Sequence, residues 1–158
     1  RPGVYELVMG SRLRELVEGL ASAKNVKMIQ VGGATGRIIP YEMIDTPLDF
    51  EDVLGAGAIT AFDELRDIID IVYRTVEFLA EESCGKCSPC RQGTKVMVET
   101  LKRFSQGDGE ERDIRAIQDL SNAMALSSLC GLGQAAPTPV VDSLQYFGSV
   151  YENRIRKS

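Results

Sequence analysis

The chain of 158 residues contains no histidine. That absence excludes Ser-His and Cys-His nucleophilic pairs, Rieske-type ligation, histidine-ligated haem and most catalytic zinc sites, because each of them needs an imidazole. Runs of Lys and Arg longer than a short pair are also missing, and the net charge is −5. A surface that neutralises phosphates is therefore not indicated, and we expect no nucleic acid partner.

Long apolar runs are absent as well, so the sequence predicts no membrane insertion. The first residues have neither a charged segment followed by an apolar one nor a cleavage site, which argues against secretion. The chain begins Arg1-Pro2 rather than with Met, and we expect it to be the downstream part of a longer protein. Its apolar content of 44% is enough for one medium domain or two small ones in an intracellular protein.

Cysteine is scarce, but three of the four cysteines are concentrated in one stretch. Cys84, Cys87 and Cys90 follow one another at a spacing of three, and such a run can direct its thiolates at one compact object, as in ferredoxins. In a bacterial ferredoxin run another cysteine follows where Thr94 stands here. Cys130 is then the candidate for the fourth ligand. The four thiols match the four irons of a [4Fe–4S] cluster.

Three other interpretations of these cysteines remain open. A structural zinc ion also takes four thiolates, although its sites usually consist of two separated Cys-x-x-Cys pairs. A disulfide framework requires an oxidising compartment and a domain poor in core residues. A thioredoxin-like pair requires an isolated Cys-x-x-Cys beside a βαβ pattern and gives no role to the other two thiols.

Residues 1–62 alternate short strands with one helix, which predicts a small α+β unit. The helix begins at Ser11, which can cap its first turn, and continues through apolar residues at helical spacing. Strands are predicted at residues 4–5, 26–31, 37–40 and 59–62, with an irregular segment at 41–57.

A glycine-rich segment, residues 32–36, follows the strand predicted at 26–31. Glycine there permits positive φ angles or close approach of a ligand to the backbone. A nucleotide-binding loop would open a helix, whereas this segment leads into a strand that ends at Pro40. We therefore predict a tight turn rather than a phosphate cradle.

Beyond Asp63 the apolar residues recur at helical spacing, which places a domain boundary near residue 63. Four amphipathic helices joined by short connections predict a bundle over residues 63–158. In an up-down bundle the two cysteine segments would lie at the same end. The apolar stripes are Leu65, Ile68, Ile69, Val72, Val76 and Leu79; Val96, Thr100, Leu101 and Phe104; Ile114, Ile117, Leu120 and Met124; and Val140, Val141, Leu144, Phe147 and Tyr151.

The cysteine motifs resemble a known family. The run Glu-Ser-Cys-Gly-x-Cys-x-Pro-Cys-Arg-x-Gly at residues 82–93 and the run Ser-Leu-Cys-x-Leu-Gly at 128–133 are similar to those of the NADH-oxidising flavoprotein subunit of respiratory complex I, the 51 kDa type. Diaphorase subunits of NAD(P)-linked hydrogenases and formate dehydrogenases share this likeness. Residues 1–6, 32–36 and 54–57 look like the soluble-ligand-binding β-grasp domain of the same family. The resemblance covers essentially the whole chain.

The resemblance implies an α+β chain, with a β-grasp-like domain at 1–62 and a four-helix bundle at 63–158. It implies a [4Fe–4S] cluster on Cys84, Cys87, Cys90 and Cys130 that takes single electrons from flavin mononucleotide (FMN) reduced by NAD(P)H. FMN and the nucleotide would bind an upstream domain, so this chain would be catalytically incomplete, with no catalytic residue of its own. The implied partners are that domain, a thioredoxin-like [2Fe–2S] subunit and further iron–sulfur subunits, in the cytoplasm or at the cytoplasmic or matrix face of a membrane-bound complex.

Cations and glycines around the thiols suit electron transfer. Lys86 and Arg91 would offset the negative charge of four thiolates, or else be ordinary solvated cations, while Gly85 and Gly93 would let backbone amides approach sulfur. The prolines at 89 and 137 would stiffen the two ligand segments. The alternative function is a β-grasp module that binds a ligand or partner beside a structural zinc ion.

Overall fold

The computed structural model describes residues 1–49 and 54–156. A small antiparallel sheet occupies the first part of the chain and helices occupy the rest, so the predicted α+β class is confirmed. The chain divides into two units, Arg1–Arg66 and Asp67–Ser158.

The sheet of the first unit has three strands, β1 Val26–Val31, β2 Arg37–Pro40 and β3 Ile59–Asp63. Their order is β2-β1-β3, and β1 pairs antiparallel with both neighbours, with Ile29 opposite Ile39 on one side and Ala61 on the other. The β-branched residues of β1 favour this extended conformation, and all of β1 except Lys27 is buried. One face of the sheet packs on a core of Leu13, Val17, Val26, Ile29, Val31, Ile39, Ile44 and Leu48.

Residues 32–36 form the turn between β1 and β2. Gly32 and Gly33 have φ angles of 97° and 81°, a region that disfavours any residue with a side chain. The backbone N–H of Gly36 donates to the carbonyl of Gly33 at 2.9 Å. The prediction of a tight turn is therefore confirmed, and the segment leads into β2 rather than into a helix.

The beginning of the chain differs from the prediction. Residues 1–8 contain no strand, and the Tyr5 hydroxyl donates to the carbonyl of Arg1 at 2.5 Å instead. Pro2 lacks an N–H for a ladder and Gly3 has a high backbone entropy, so both oppose strand formation. The predicted helix is present, but its main part, Glu15–Leu20, is π-helical. Of the predicted irregular segment, residues 50–53 lie outside the described residues.

In the described part of the second unit there are four long helices and a short one: α1 Ile68–Glu81, α2 Ser88–Ser105, α3 Glu111–Ser127, α4 Gly131–Ala135 and α5 Thr138–Glu152. The predicted first stripe included Leu65, which was wrong. The side chain of Asp67 accepts the N–H of Asp70 at 3.0 Å and starts α1 after that residue. Leu65 precedes this cap and is 92% exposed.

Helix α2 starts inside the cysteine run, earlier than its predicted stripe. Cys87 occupies the N-cap position, and Pro89 lies in the first turn, where its missing N–H leaves no helical hydrogen bond unmade. The N–H of Arg91 donates to the carbonyl of Cys87 at 3.0 Å. Cys90 is therefore held on a helix rather than in a flexible loop.

Several helix ends meet at one end of the second unit. The guanidinium of Arg154, just after α5, donates to Asp67 before α1 at 2.6 Å and to the carbonyl of Ser105 at the end of α2 at 3.1 Å. The N–H of Gly109, before α3, donates to the carbonyl of Arg154 at 3.2 Å. The cysteine segments follow α1 and α3 and precede α2 and α5, so they belong to the opposite ends of these helices.

Candidate metal centre

The two cysteine-bearing segments meet through Cys87 and Leu129. The backbone N–H groups of Leu129 and Cys90 hold the pKa of the Cys87 thiol below its ordinary value. The nearby Arg91 cation lowers the Cys87 pKa further, although by less. Lowering the pKa favours the thiolate, which is the form that binds a metal. Since Leu129 directly precedes Cys130, this contact brings the two segments to one place.

Cys90 is buried and lies close to residues of both cysteine-bearing segments. It is 5% exposed, and its sulfur is 3.3 Å from the Ser83 hydroxyl oxygen. A Cβ atom added to Gly133, in α4, would lie 2.8 Å from Cys90 Cβ and 2.7 Å from Ser128 Cβ. Real Cβ atoms do not approach other atoms so closely, so only glycine allows α4 to pack this near α2.

Ser128 contributes a buried hydroxyl to the same place. Its side chain is 5% exposed, and its Oγ has no hydrogen-bond partner among residues 1–49 and 54–156. The side-chain amide of Gln134 donates to the carbonyl of Ser128 at 3.0 Å and fixes the segment, but leaves this hydroxyl unpaired. Buried polar groups in folded proteins usually have a partner. A sulfur-rich cluster beside Cys90 would supply the missing acceptor, so the residues present fit such a group.

Arg91 forms a hydrogen bond to the segment between Cys84 and Cys87. One of its guanidinium nitrogens donates to the carbonyl of Gly85 at 2.7 Å, and the other donates to the Ser88 hydroxyl at 3.3 Å. Gly85 has a φ angle of 74°, which closes the turn between the two cysteines. Arg91 is thus a structural partner of the cysteine run as well as a nearby positive charge.

The four cysteines are not equally buried. Cys84 and Cys130 are exposed, Cys87 is half-buried and Cys90 is buried. Within the described part of the chain, no three His, Cys, Asp or Glu side chains form a group that could hold a metal ion. The thiolates of a cubane bind four different irons, so they stand farther apart than ligands that share one ion.

Sequence reasoning assigned no role to two serines near the cysteines. Ser83 and Ser128 stand within the two cysteine motifs, but only the positions of their side chains beside Cys90 indicate a role for them. Gly93 was predicted to let an amide approach sulfur. That stays a prediction; the structure adds that a Cβ atom there would lie 2.7 Å from Met124 Cγ, so Gly93 allows α2 to pack closely against α3.

The first unit has a cavity of about 720 Å³. Its walls come from residues 1–5, the π-helical segment and β3, and they are mostly apolar. Within the described residues, no helix has the length and apolar character needed to cross a membrane.

An α+β fold with two converging cysteine segments is the arrangement of a metal-cluster domain. A family model described as the NADH-ubiquinone oxidoreductase-F iron-sulfur binding region matches residues 70–154, which is more than half of the chain and includes all four cysteines. The chain belongs to this family. The prediction of an iron–sulfur protein related to NADH dehydrogenases is thereby confirmed.

Named relatives agree with that assignment. An NADH-quinone oxidoreductase subunit of Streptomyces coelicolor is 37% identical over 163 aligned residues, which cover 98% of this chain and 36% of the relative. The NADP-reducing hydrogenase subunit HndC of Solidesulfovibrio fructosivorans is 31% identical over 97% of this chain and 33% of its own length. The chain therefore spans about a third of the length of these relatives.

A solved structure shows the same fold. The crystal structure of an NAD+-reducing [NiFe]-hydrogenase in its H2-reduced state superimposes with a TM-score of 0.94 at 32% identity. The match covers 100% of this chain and 28% of the hydrogenase chain.

Proposed function

We propose that this chain is the electron-transfer segment of an NAD(P)H-dependent flavoprotein oxidoreductase. In this proposal Cys84, Cys87, Cys90 and Cys130 bind a [4Fe–4S] cluster, which accepts and passes on one electron at a time. The close packing of Gly133 against Cys90 carries the proposal, because a Cβ atom at Gly133 would lie 2.8 Å from Cys90 Cβ and the segment that follows Cys130 therefore lies against the three-cysteine run.

The surrounding residues prepare the thiolates for this role. Backbone N–H groups at Cys87 favour its deprotonated form, and the burial of Cys90 shields its sulfur from water. Arg91 fixes the turn after Cys84 and places a positive charge near four negative ligands. Hydrogen bonds and positive charge near the sulfurs raise the reduction potential of such a centre.

The domain assignment follows the same family likeness. We propose that residues 1–62 form a β-grasp domain, supported by the three-stranded sheet packed with a short helix. We also propose that α1, α2, α3 and α5 form an up-down four-helix bundle over residues 63–158. The support is that Arg154 binds Asp67 and Ser105 at one end, while the cysteine segments meet at the other.

The parent protein and its partners are inferred from the relatives. NADH-quinone oxidoreductase and NADP-reducing hydrogenase subunits extend well beyond the part matched here. We propose that an upstream domain holds FMN and the nucleotide, and that a thioredoxin-like [2Fe–2S] subunit and other iron–sulfur subunits exchange electrons with the assembly. We propose that the protein is located in the cytoplasm, or at the cytoplasmic or matrix face of a membrane-bound complex, where these partners would be found.

Metal and sulfide analysis tests the cluster directly. The chain, purified anaerobically from an iron-replete host, should contain about four iron and four acid-labile sulfide per chain. Its broad visible absorbance should bleach with dithionite. One stoichiometric zinc ion without sulfide would contradict the proposal and favour the structural-zinc alternative.

A turnover assay tests whether this chain needs an upstream flavin domain to oxidise NADH. A hydride carries two electrons, whereas the cluster takes one, so a flavin must stand between the nucleotide and the cluster. The cluster-loaded chain with added FMN should show no NADH–ferricyanide turnover, while the same segment joined to an upstream flavin domain should be reduced by NADH. Robust turnover by the chain alone would contradict this, and would direct attention to the turn at residues 32–36.

A further inference from the structure

Two hydroxyl groups lie beside Cys90, one from each cysteine-bearing segment. Ser83 Oγ is 3.3 Å from Cys90 Sγ, and Ser128 Oγ is buried where Gly133 meets Cys90. We infer that Ser83 and Ser128 donate hydrogen bonds to sulfur atoms of the proposed cluster and raise its reduction potential. This inference rests on the proposed function, since it requires the cluster to be present.

The Ser83 hydroxyl can donate its hydrogen to the Cys90 sulfur. The N–H of Gly85 donates to Ser83 Oγ at 3.4 Å, so the serine oxygen already acts as an acceptor. Its own hydrogen remains available for the sulfur of Cys90. A cysteine thiol could donate in return, but a metal-bound thiolate has no proton and can only accept. Cluster binding therefore makes Ser83 the donor.

Ser128 differs from other serines of its helix. Ser121 and Ser127 donate to the carbonyls of Ile117 and Ala123, four residues earlier, at 2.6 and 2.5 Å. Ser128 is the C-cap of α3 and has extended backbone angles, φ −72° and ψ 144°. Its Oγ has no partner among the described residues although it is almost fully buried. A buried hydroxyl left unpaired is unfavourable, and an acceptor at this place would remove that penalty.

Each hydrogen bond should stabilise the reduced cluster more than the oxidised one. Reduction adds a negative charge that is spread over the sulfur atoms, and a donor interacts more strongly with the more negative state. Loss of one donor should therefore shift the reduction equilibrium about tenfold toward the oxidised form, or ~59 mV for a one-electron couple. The shift is toward lower potential.

Potentiometric titration of the full 158-residue chain, reconstituted anaerobically with iron and sulfide, tests this inference. The EPR signal of the reduced cluster should give a lower midpoint for Ser128→Ala and for Ser83→Ala than for the wild type. Ser127→Ala is the matched control, since Ser127 is exposed and bonded to Ala123. Its midpoint should equal that of the wild type.

Two further measurements separate this role from a structural one. Electron–nuclear double resonance should detect an exchangeable proton coupled to the reduced cluster that is lost in Ser128→Ala. The cluster-free form of Ser128→Ala should melt at or above the temperature of the cluster-free wild type, because the mutation removes an unpaired buried hydroxyl. A purely structural serine would lower that melting temperature.

The outcomes distinguish this inference from the proposed function. If the wild-type chain binds iron and sulfide but neither serine variant changes the midpoint, the serine inference is wrong and the proposed function stands. If the wild-type chain binds no iron and sulfide, both are wrong. If Ser128→Ala does not retain a cluster, the midpoint of Ser83→Ala and its lost proton coupling decide the result.

Discussion

The glycine at position 133 offers a quantitative test of how the second cysteine segment is held. In Gly133→Ala the new methyl group would lie 2.7 Å from Ser128 Cβ and 2.8 Å from Cys90 Cβ. Both of those atoms are attached directly to the backbone, so no flexible side chain can turn aside and α4 must shift. Overpacking of this kind costs about 1–3 kcal/mol. The higher helix propensity of alanine offsets at most ~1 kcal/mol.

We therefore expect Gly133→Ala to lower the free energy of unfolding by about 1–2 kcal/mol. Gly131→Ala is the matched control, because Gly131 lies in the same short helix and its added Cβ would meet no atom within 4 Å. That substitution should be neutral or stabilising by up to ~1 kcal/mol. The two variants probe the same helix and differ in the space around the methyl group.

Circular dichroism in the far ultraviolet, which reports helix content, measures both variants during urea and thermal unfolding of the cluster-free chain. A loss of about 1 kcal/mol corresponds to about 2–4 °C in melting temperature for a chain of this size. Loss of iron from the cluster-loaded form should also be faster in Gly133→Ala, because Cys90 is displaced. Equal melting temperatures for the two alanine variants would refute the close packing of α4 against α2.

Three further predictions concern the ligands and the helical unit. Cys130→Ser should prevent stable assembly of the cluster, and an unchanged EPR spectrum would place the fourth ligand elsewhere. Burial raises the pKa of Tyr151 above its ordinary value of about 10. The tyrosine therefore ionises at lower pH in the unfolded chain than in the folded one, and the stability that is present below about pH 10 is lost as the pH rises above it. Tyr151→Phe should remove this part of the pH dependence of urea unfolding. Asp113→Ala breaks a capping box and an ion pair with Arg103 at 2.6 Å, and it should lower the free energy of unfolding by about 1–2 kcal/mol. Asp119 is exposed on the same helix, and Asp119→Ala should change the free energy of unfolding by less than about 0.5 kcal/mol.

Periodicity predicted most of the secondary structure. The helical stripes from Ile68 to Leu79 and from Ile114 to Met124 lie within α1 and α3, because an apolar residue every three or four positions buries one face of a helix. Element ends were less well predicted. Leu65 shares the period of α1 but lies before its cap, and the side chain of Asp67 rather than hydrophobicity decides where the helix begins.

The short strand predicted at Val4 and Tyr5 shows a second limit. β-propensity favours extended structure only where a neighbouring strand supplies hydrogen bonds, and residues 1–8 form no strand. The helix α4 was missed for a similar reason. Five residues with two glycines have little helical preference of their own, and packing against α2 and α3 stabilises them.

The sequence by itself determined the α+β class, the glycine turn after β1 and the family to which the cysteine motifs belong. These features depend on which residue types stand a few positions apart in the chain, and the sequence shows this directly. Tertiary structure alone decided that the Leu129 amide lowers the pKa of Cys87, that Gly133 packs on Cys90, and that Ser128 is buried without a partner among the described residues. The first two contacts join residues far apart in the chain, and only the packing of the helices brings them together.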